Sequence, residues 1–372
     1  MGRRTRFGAV LLALGLLVAA CGNGSTTDTT EPAAPLATEA TDGTSAAPAE
    51  TTAPPETAAA DPYAALVEAA TTEGKVTIYS SQAPDALDVL AAAFEERYPG
   101  IEVEVFRAID GETQTKVEAE VSSGAGIADM LVSASLSWVE DKSTQGWFLP
   151  PAAPNLVGEG GYDVAAYVHG DYFETNAAVL AFGWNTDLLP DGISDYPDFL
   201  SADLSGVKIG VIEPGAPSIV DFYVWLEENF GSDFLDKLST QDLAFYPSSL
   251  PMGEAMSSGE IVAGMFVAPV ALIPAQEAGA PVEFGLSPVG AWGARYYGML
   301  LASGPHPNGA QLLADYMVSS EGQAILGPGA GAVQEGIPGA LITNDLVRIQ
   351  DYALLTEEFV ADFVARFDAT LR

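Results

Sequence analysis

The stretch from Lys75 to Ser133 constrains the fold more than any other part of the 372-residue chain. Lys75 to Tyr79 reads as a strand. Leu87, Leu90, Phe94 and Tyr98 then recur at helical spacing, with Pro84 suited to the first turn and Pro99-Gly100 closing the helix. Ile101, Val103 and Val105 alternate with Glu102 and Glu104 as a second strand. A further helix, with Val117 and Val121 on one face, leads to the strand Asp129 to Ser133. Strands joined in this way through helices run parallel, and a parallel sheet needs both faces covered. The pattern therefore predicts an α/β fold.

The pattern continues downstream. Ala178 to Trp184 is an apolar strand, and Val207 to Ile212, the helix Ile219 to Phe230, and Ile261 to Val267 repeat the α/β order. Val282 to Leu286 and Tyr297 to Ala302 are strand-like, and a helix carrying Leu312, Leu313, Tyr316 and Met317 follows. Phe359, Val360, Phe363, Val364 and Phe367 form the apolar stripe of a C-terminal helix, which is expected to dock on the body because its polar face is mostly acidic rather than basic.

The N-terminus has a different texture. Met1 to Arg6 is basic, Phe7 to Ala20 is uncharged and apolar, and Leu17-Val18-Ala19-Ala20 precede Cys21, the single cysteine. A membrane-spanning helix needs about 20 apolar residues, so this shorter run suits an export signal over residues 1–20. Residues 22–61 hold almost only Thr, Ala, Pro, Glu, Ser, Asp and Gly, a composition that buries too little to offset ordering entropy. With Cys21 they are expected to form a tether, residues 21–61.

Net charge narrows the partners. The chain carries 51 Asp and Glu against 14 Lys and Arg, a formal charge of −37, which disfavours nucleic acid and anionic membrane surfaces. One cysteine allows no intrachain disulfide and no thiolate metal cluster.

Several stretches resemble the extracellular solute-binding lipoproteins of bacterial ABC importers, in the branch often called ferric-iron-type. Small residues before Cys21 resemble a lipobox, in which the cysteine becomes the acylated N-terminus. Val76-Thr77-Ile78-Tyr79-Ser80-Ser81-Gln82, the run from Ala92 to Val103 and Ala128-Asp129-Met130-Leu131 look like that family's first lobe. Trp184-Asn185-Thr186-Asp187-Leu188 looks like its passage to the second lobe, and His306-Pro307-Asn308-Gly309-Ala310 with Ser319-Ser320-Glu321-Gly322-Gln323 like its return. The resemblance implies a two-lobed type 2 periplasmic-binding-protein fold with hinge-crossing strands: lobe 1 over 62–186 plus 283–344, lobe 2 over 187–282, and residues 345–372 packed on the body. It also implies a monomer, lipid-anchored through Cys21 at the extracellular face of the cell membrane, that passes a small solute to a membrane permease, with neither cofactor nor catalysis.

Ligand-binding candidates lie in the turns after predicted strands. Ser80, Ser81 and Gln82 precede a helix, where hydroxyls, an amide and free backbone N–H groups can hold a polar or anionic group. Ser133 and Ser135 repeat this arrangement, with Trp138 as an apolar wall. In the second lobe Ser218 is expected to cap a helix and Tyr223 lies farther along it. Arg107, Lys116, Lys142 and Arg295 are scarce bases able to neutralise an anion. Ferric iron requires anionic oxygen ligands. Where the ferric binders place them, this chain has Ala83, Ala134 and Pro269-Val270, while Tyr296-Tyr297 falls after the return to lobe 1, so a small organic or organophosphorus solute fits better than iron. A secreted hydrolase is the rival class. The sequence lacks GxSxG, HExxH and a P-loop, and His169 and His306 stand alone. A surface adhesin or sensor that uses the same cleft is a third class.

Overall fold

The structure, a computed structural model, describes residues 62–201 and 204–372. The expected signal, Cys21 and the tether lie outside the described residues. Helix α1, Pro62–Glu73, precedes β1, Lys75–Ser80; α2, Pro84–Arg97; β2, Glu102–Arg107; α3, Asp110–Ser123; and β3, Met130–Ser133. Strands β1, β2 and β3 are parallel, as their helical connections require. Alternation along β1 sends Val76 and Ile78 to a core with Phe94 and Tyr316, and Tyr79 to the opposite face with Leu131, Val139 and Tyr297.

Helix α4, Leu136–Thr144, strand β4, Phe148–Leu149, and the single turn α5, Val164–Tyr167, lead to the long strand β5, Tyr172–Asn185. The second lobe follows as β6, Lys208–Ile212; α6, Pro217–Phe230; α7, Phe234–Leu238; β7, Asp242–Tyr246; α8, Ser249–Ser257; β8, Ala263–Val267; and α9, Pro269–Glu277. The chain returns through β9, Val282–Gly285, and β10, Trp292–Leu301, to α10, Pro307–Val318, α11, Ser320–Leu326, and the short strands β11, Gly331–Ala332, and β12, Ile342–Thr343. It ends on α12, Glu357–Leu371.

Among the described residues the sheet order is β2-β1-β3-β10-β5-β8-β6-β7. Strand β5 belongs to both halves. Tyr172 to Leu180 pair with β10, and Phe182 to Asn185 pair with β9, while Ala181 to Trp184 also face β8. This strand starts six residues before the apolar run that marked it in the sequence, because its first part holds Glu174, Thr175 and Asn176. All three are buried, and Glu174 is neutralised by Arg295 Nη1 at 3.0 Å, with Asn344 Nδ2 donating at 3.0 Å and His169 Nε2 at 3.2 Å. A partnered carboxylate can occupy a strand interior that a lone one cannot.

The final segment makes a third passage between the lobes. Arg295 on β10 donates to the Val347 carbonyl, and Arg348 holds the buried Asp221 of α6 through Nε at 2.9 Å and Nη2 at 3.0 Å. Helix α12 then docks specifically on the second lobe: Phe363 and Phe367 join the core of Phe182, Tyr196, Phe222, Trp225 and Phe266. The stripe read from the sequence is this docking face.

Candidate functional site

Strand directions locate the site. Strands β1, β2 and β3 run the same way and end at Ser80, Arg107 and Ser133. Strand β5 continues in that direction toward the second lobe, since β10 is antiparallel to both β3 and β5. Strand β8 is antiparallel to β5, and β6 is parallel to β8, so Ile212 and Val267 end facing back toward lobe 1. The carboxyl ends of both parallel sets thus converge on one crevice crossed by β5 and β10, a placement that gathers free N–H groups and helix N-termini. Tyr296 is level with Asn176 and Val267 with Ala181, which puts roughly 17 Å of strand between the two rims at about 3.3 Å per residue. Gly329, at φ +71°, closes one side: a Cβ there would come within 3.1 Å of Val270 and Ile273 on α9.

On the lobe 1 rim, Ser80 and Gln82 are buried and largely committed to structure. The Ser80 hydroxyl donates to Gln82 Oε1 at 3.1 Å, and Gln82 Nε2 donates to Asn176 Oδ1 at 2.5 Å. This pair ties the β1–α2 turn to the crossing strand. Ser81 is different. Its Oγ is shielded from solvent and has no hydrogen-bond partner among the described residues, an arrangement that costs free energy unless something else supplies one. Arg107, at the end of β2, donates from Nε to the Gln82 carbonyl at 3.1 Å and from Nη2 to the Ser81 carbonyl at 3.4 Å.

Ser133 is buried and accepts from Gln114 Nε2 at 3.2 Å and from the Ser135 amide at 3.2 Å. Ser135 is the half-buried residue before α4 and its side chain makes no capping bond. Asp110, at the start of α3, accepts the Ala134 amide at 3.3 Å. Tyr296 lies in the same neighbourhood: burial raises its hydroxyl's pKa, the Asp110 charge adds to the rise and the Arg107 charge opposes it. Tyr352, on the third passage, lines a cavity with Ala134, Leu136 and Tyr297 of lobe 1 and with Arg348 and Gln350, and its hydroxyl's pKa is raised by partial burial and by the charges of Asp110 and Asp221. Asp110, Gln114, Asn176 and Tyr352 carried no sequence signal, since each stands outside a strand-end turn read in isolation.

Three expectations need correction. Trp138 is no wall of the crevice: its indole donates to Glu118 at 2.9 Å and its ring packs on Trp147 and Phe148 beneath the lobe 1 sheet. Tyr223 is fully buried with its hydroxyl on the Ile212 carbonyl, so it supports the β6 end from inside. Ser218 does not cap α6. The cap position is Ala216 and Pro217 takes the first turn, where its missing N–H costs nothing; Ser218 stands half-buried one position later. Lys116 and Lys142 are engaged by Glu120 and by Glu118 and Asp141, and Arg295 by Glu174. His306 is structural, its ring Nδ1 2.9 Å from the buried Asp129.

Known structures share this architecture. The substrate-binding protein of the ABC transporter from Agrobacterium tumefaciens superposes with a TM-score of 0.60 at 16% identity, covering 80% of this chain and 94% of that one. Iron-bound HitA from Pseudomonas aeruginosa gives 0.57 at 16% identity, covering 80% and 99%. The periplasmic binding protein AfuA from Actinobacillus pleuropneumoniae, with fructose-6-phosphate bound, gives 0.53 at 19% identity over 80% and 99%. At such identities the likeness establishes the two-lobed α/β periplasmic-binding-protein fold. No curated protein matches the sequence. Residues 76–327 match the family model described as bacterial extracellular solute-binding protein, a match that spans both rims of the crevice and both sheet crossings, and the chain therefore belongs to that family.

Proposed function

We propose that the chain is the capture component of an ABC importer, binding a small organic or organophosphorus solute between its lobes and delivering it to a membrane permease. The observation that carries this reading is the convergence of both parallel sets of strand ends on one crevice spanned by the long strand β5. Residues 62–186 with 283–344 act as one lobe and 187–282 as the other; ligand contacts both only when they close, which shifts the population toward the closed form. Ser81, Ser135 and Ser218 are the hydroxyls placed to reach solute, with Ser80, Gln82 and Ser133 holding the turns that carry them. Ala83, Ala134 and Pro269-Val270 offer no anionic oxygen at the rims, which favours an organic solute over ferric iron. No bond is made or broken by this protein. It acts as a monomer held at the outer face of the membrane by lipid on Cys21.

Native mass spectrometry of the protein purified from its host, with metal analysis, tests the reading. A bound organic compound of defined mass is expected. Stoichiometric iron would overturn the ligand class, and turnover of that compound would overturn capture itself.

A further inference from the structure

We infer that Arg107 receives an anionic group of the solute, so that the crevice selects organic phosphates, phosphonates or carboxylates that also carry hydroxyl or ammonium donors. The inference rests on the capture reading and deepens it. Beyond residue 61, only Arg107 and Lys208 among the basic side chains have no carboxylate at ion-pair distance among the described residues. In a chain of formal charge −37 an unpaired cation needs a reason. Lys208 begins β6, at the end of the strand remote from the crevice. Arg107 ends β2, on the rim.

Its guanidinium is oriented rather than free. Bonds to the Ser81 and Gln82 carbonyls use donors on Nε and Nη2, and the remaining N–H groups are left for a ligand in a fixed fork. The Ser81 hydroxyl, buried and unpartnered, belongs to the same turn and supplies a further donor. Burying it without a protein partner is a cost that an anion bridging Arg107 and Ser81 removes. Among the described residues the opposite rim has no unpaired base: Glu213, which follows β6, is acidic and holds Arg372 in an ion pair. The anion therefore docks on lobe 1 before closure.

Asp110 sets the second half of the selection. Its carboxylate stands at the turn after β3, where the Ala134 amide donates to Oδ1 at 3.3 Å, and no other donor reaches it among the described residues. A bare inorganic anion would be repelled by Asp110, whereas a solute bearing an anionic group at one end and hydroxyl or ammonium donors nearby satisfies both side chains.

The full chain purified from its host is examined by native mass spectrometry for a retained solute. It is also titrated calorimetrically with glycerol 3-phosphate, citrate, inorganic phosphate and uncharged glycerol. The retained or bound compound is expected to be an organic anion, preferred over inorganic phosphate. Arg107→Gln is expected to weaken it about tenfold or more, as loss of a charge-assisted bond implies, with a cooperative thermal transition retained and a shallower dependence of affinity on salt. Ser81→Ala, which removes no protein contact, should weaken the same compound. A bound compound without an anionic group overturns the inference and leaves solute capture standing. So does an anion that Arg107→Gln holds within about twofold of the parent affinity. A chain that retains nothing and binds no probe refutes capture and this inference together.

Discussion

At the scale of single residues, buried polar groups carry the structure, and they are what the sequence conceals. Glu120 on α3 is buried, yet its carboxyl is held below the ordinary value of 4.5: burial alone would raise it, and the Tyr79 hydroxyl at 2.7 Å, the Ala128 amide, Lys116 and the Ile127 amide outweigh that. Glu174 is lowered in the same way, against its burial, by His169, Arg295 and Asn344. A depressed carboxyl stabilises the fold above its unfolded pKa, and that contribution is lost as pH falls through the folded value. Asp315 has the opposite sign, raised by burial against the bonds from Asn155, so it favours the fold at low pH and opposes it once ionised. Glu118, Asp198 and Asp233 are lowered as well, so with five lowered carboxyls against one raised among the described residues the urea midpoint should fall as pH drops below about 4.5. Glu120→Gln should cost about 2–4 kcal/mol of unfolding free energy at neutral pH and flatten the acid limb of the profile. A pH profile unaltered by the substitution would rule out this role. For Tyr223, Tyr223→Phe should cost about 1 kcal/mol of stability with no change in solute affinity, as a core hydroxyl requires. A calorimetric loss of affinity would restore Tyr223 to the crevice.

At the scale of elements, apolar periodicity was a faithful guide wherever one face of an element is buried. Strand β1, the helix carrying Leu87, Leu90 and Phe94, and the alternating edge strand β2 all stand where their patterns put them. Strands β5 and β10 begin earlier than expected because Glu174, Thr175, Asn176 and Arg295 interrupt the apolar run, and their partners lie up to 170 residues away in sequence, as with Asn344. The site shows the same division. Strand-end turns were legible, since a turn between a strand and a helix has a local signature; the side chains that line the crevice from α3 and the third passage were not, since only the folded chain brings them near. Helix α12 gives the element-scale test. Phe367 is fully buried against Tyr223 and Phe245, with ring centroids 5.1 and 6.1 Å away. Phe367→Ala should cost about 3–5 kcal/mol in chemical denaturation, whereas a helix lying loosely on the surface would lose well under 1 kcal/mol.

At the scale of the whole molecule, charge and lobe motion dominate. A formal charge of −37 repels itself, so the thermal midpoint should rise as salt is added up to about 1 M, where the screening length is about 3 Å. A midpoint indifferent to salt would mean that the acids are already neutralised in place. Solute that bridges the rims should reduce the radius of gyration in small-angle scattering; an unchanged radius on saturation would exclude capture by closure. Cys21→Ser should release the exported chain from the membrane fraction into the medium, and persistent membrane association would argue against a lipid anchor.

The triple passage between the lobes also dictates an order of manufacture. Lobe 1 has no complete sheet until β10 has been made, because β3 and the first half of β5 are both partnered by it. Lobe 2 has no complete core until Phe363 and Phe367 arrive near the end of the chain. Neither half can close early during synthesis. For the exported lipoprotein proposed above, that delay keeps the unfinished chain open for as long as its synthesis lasts.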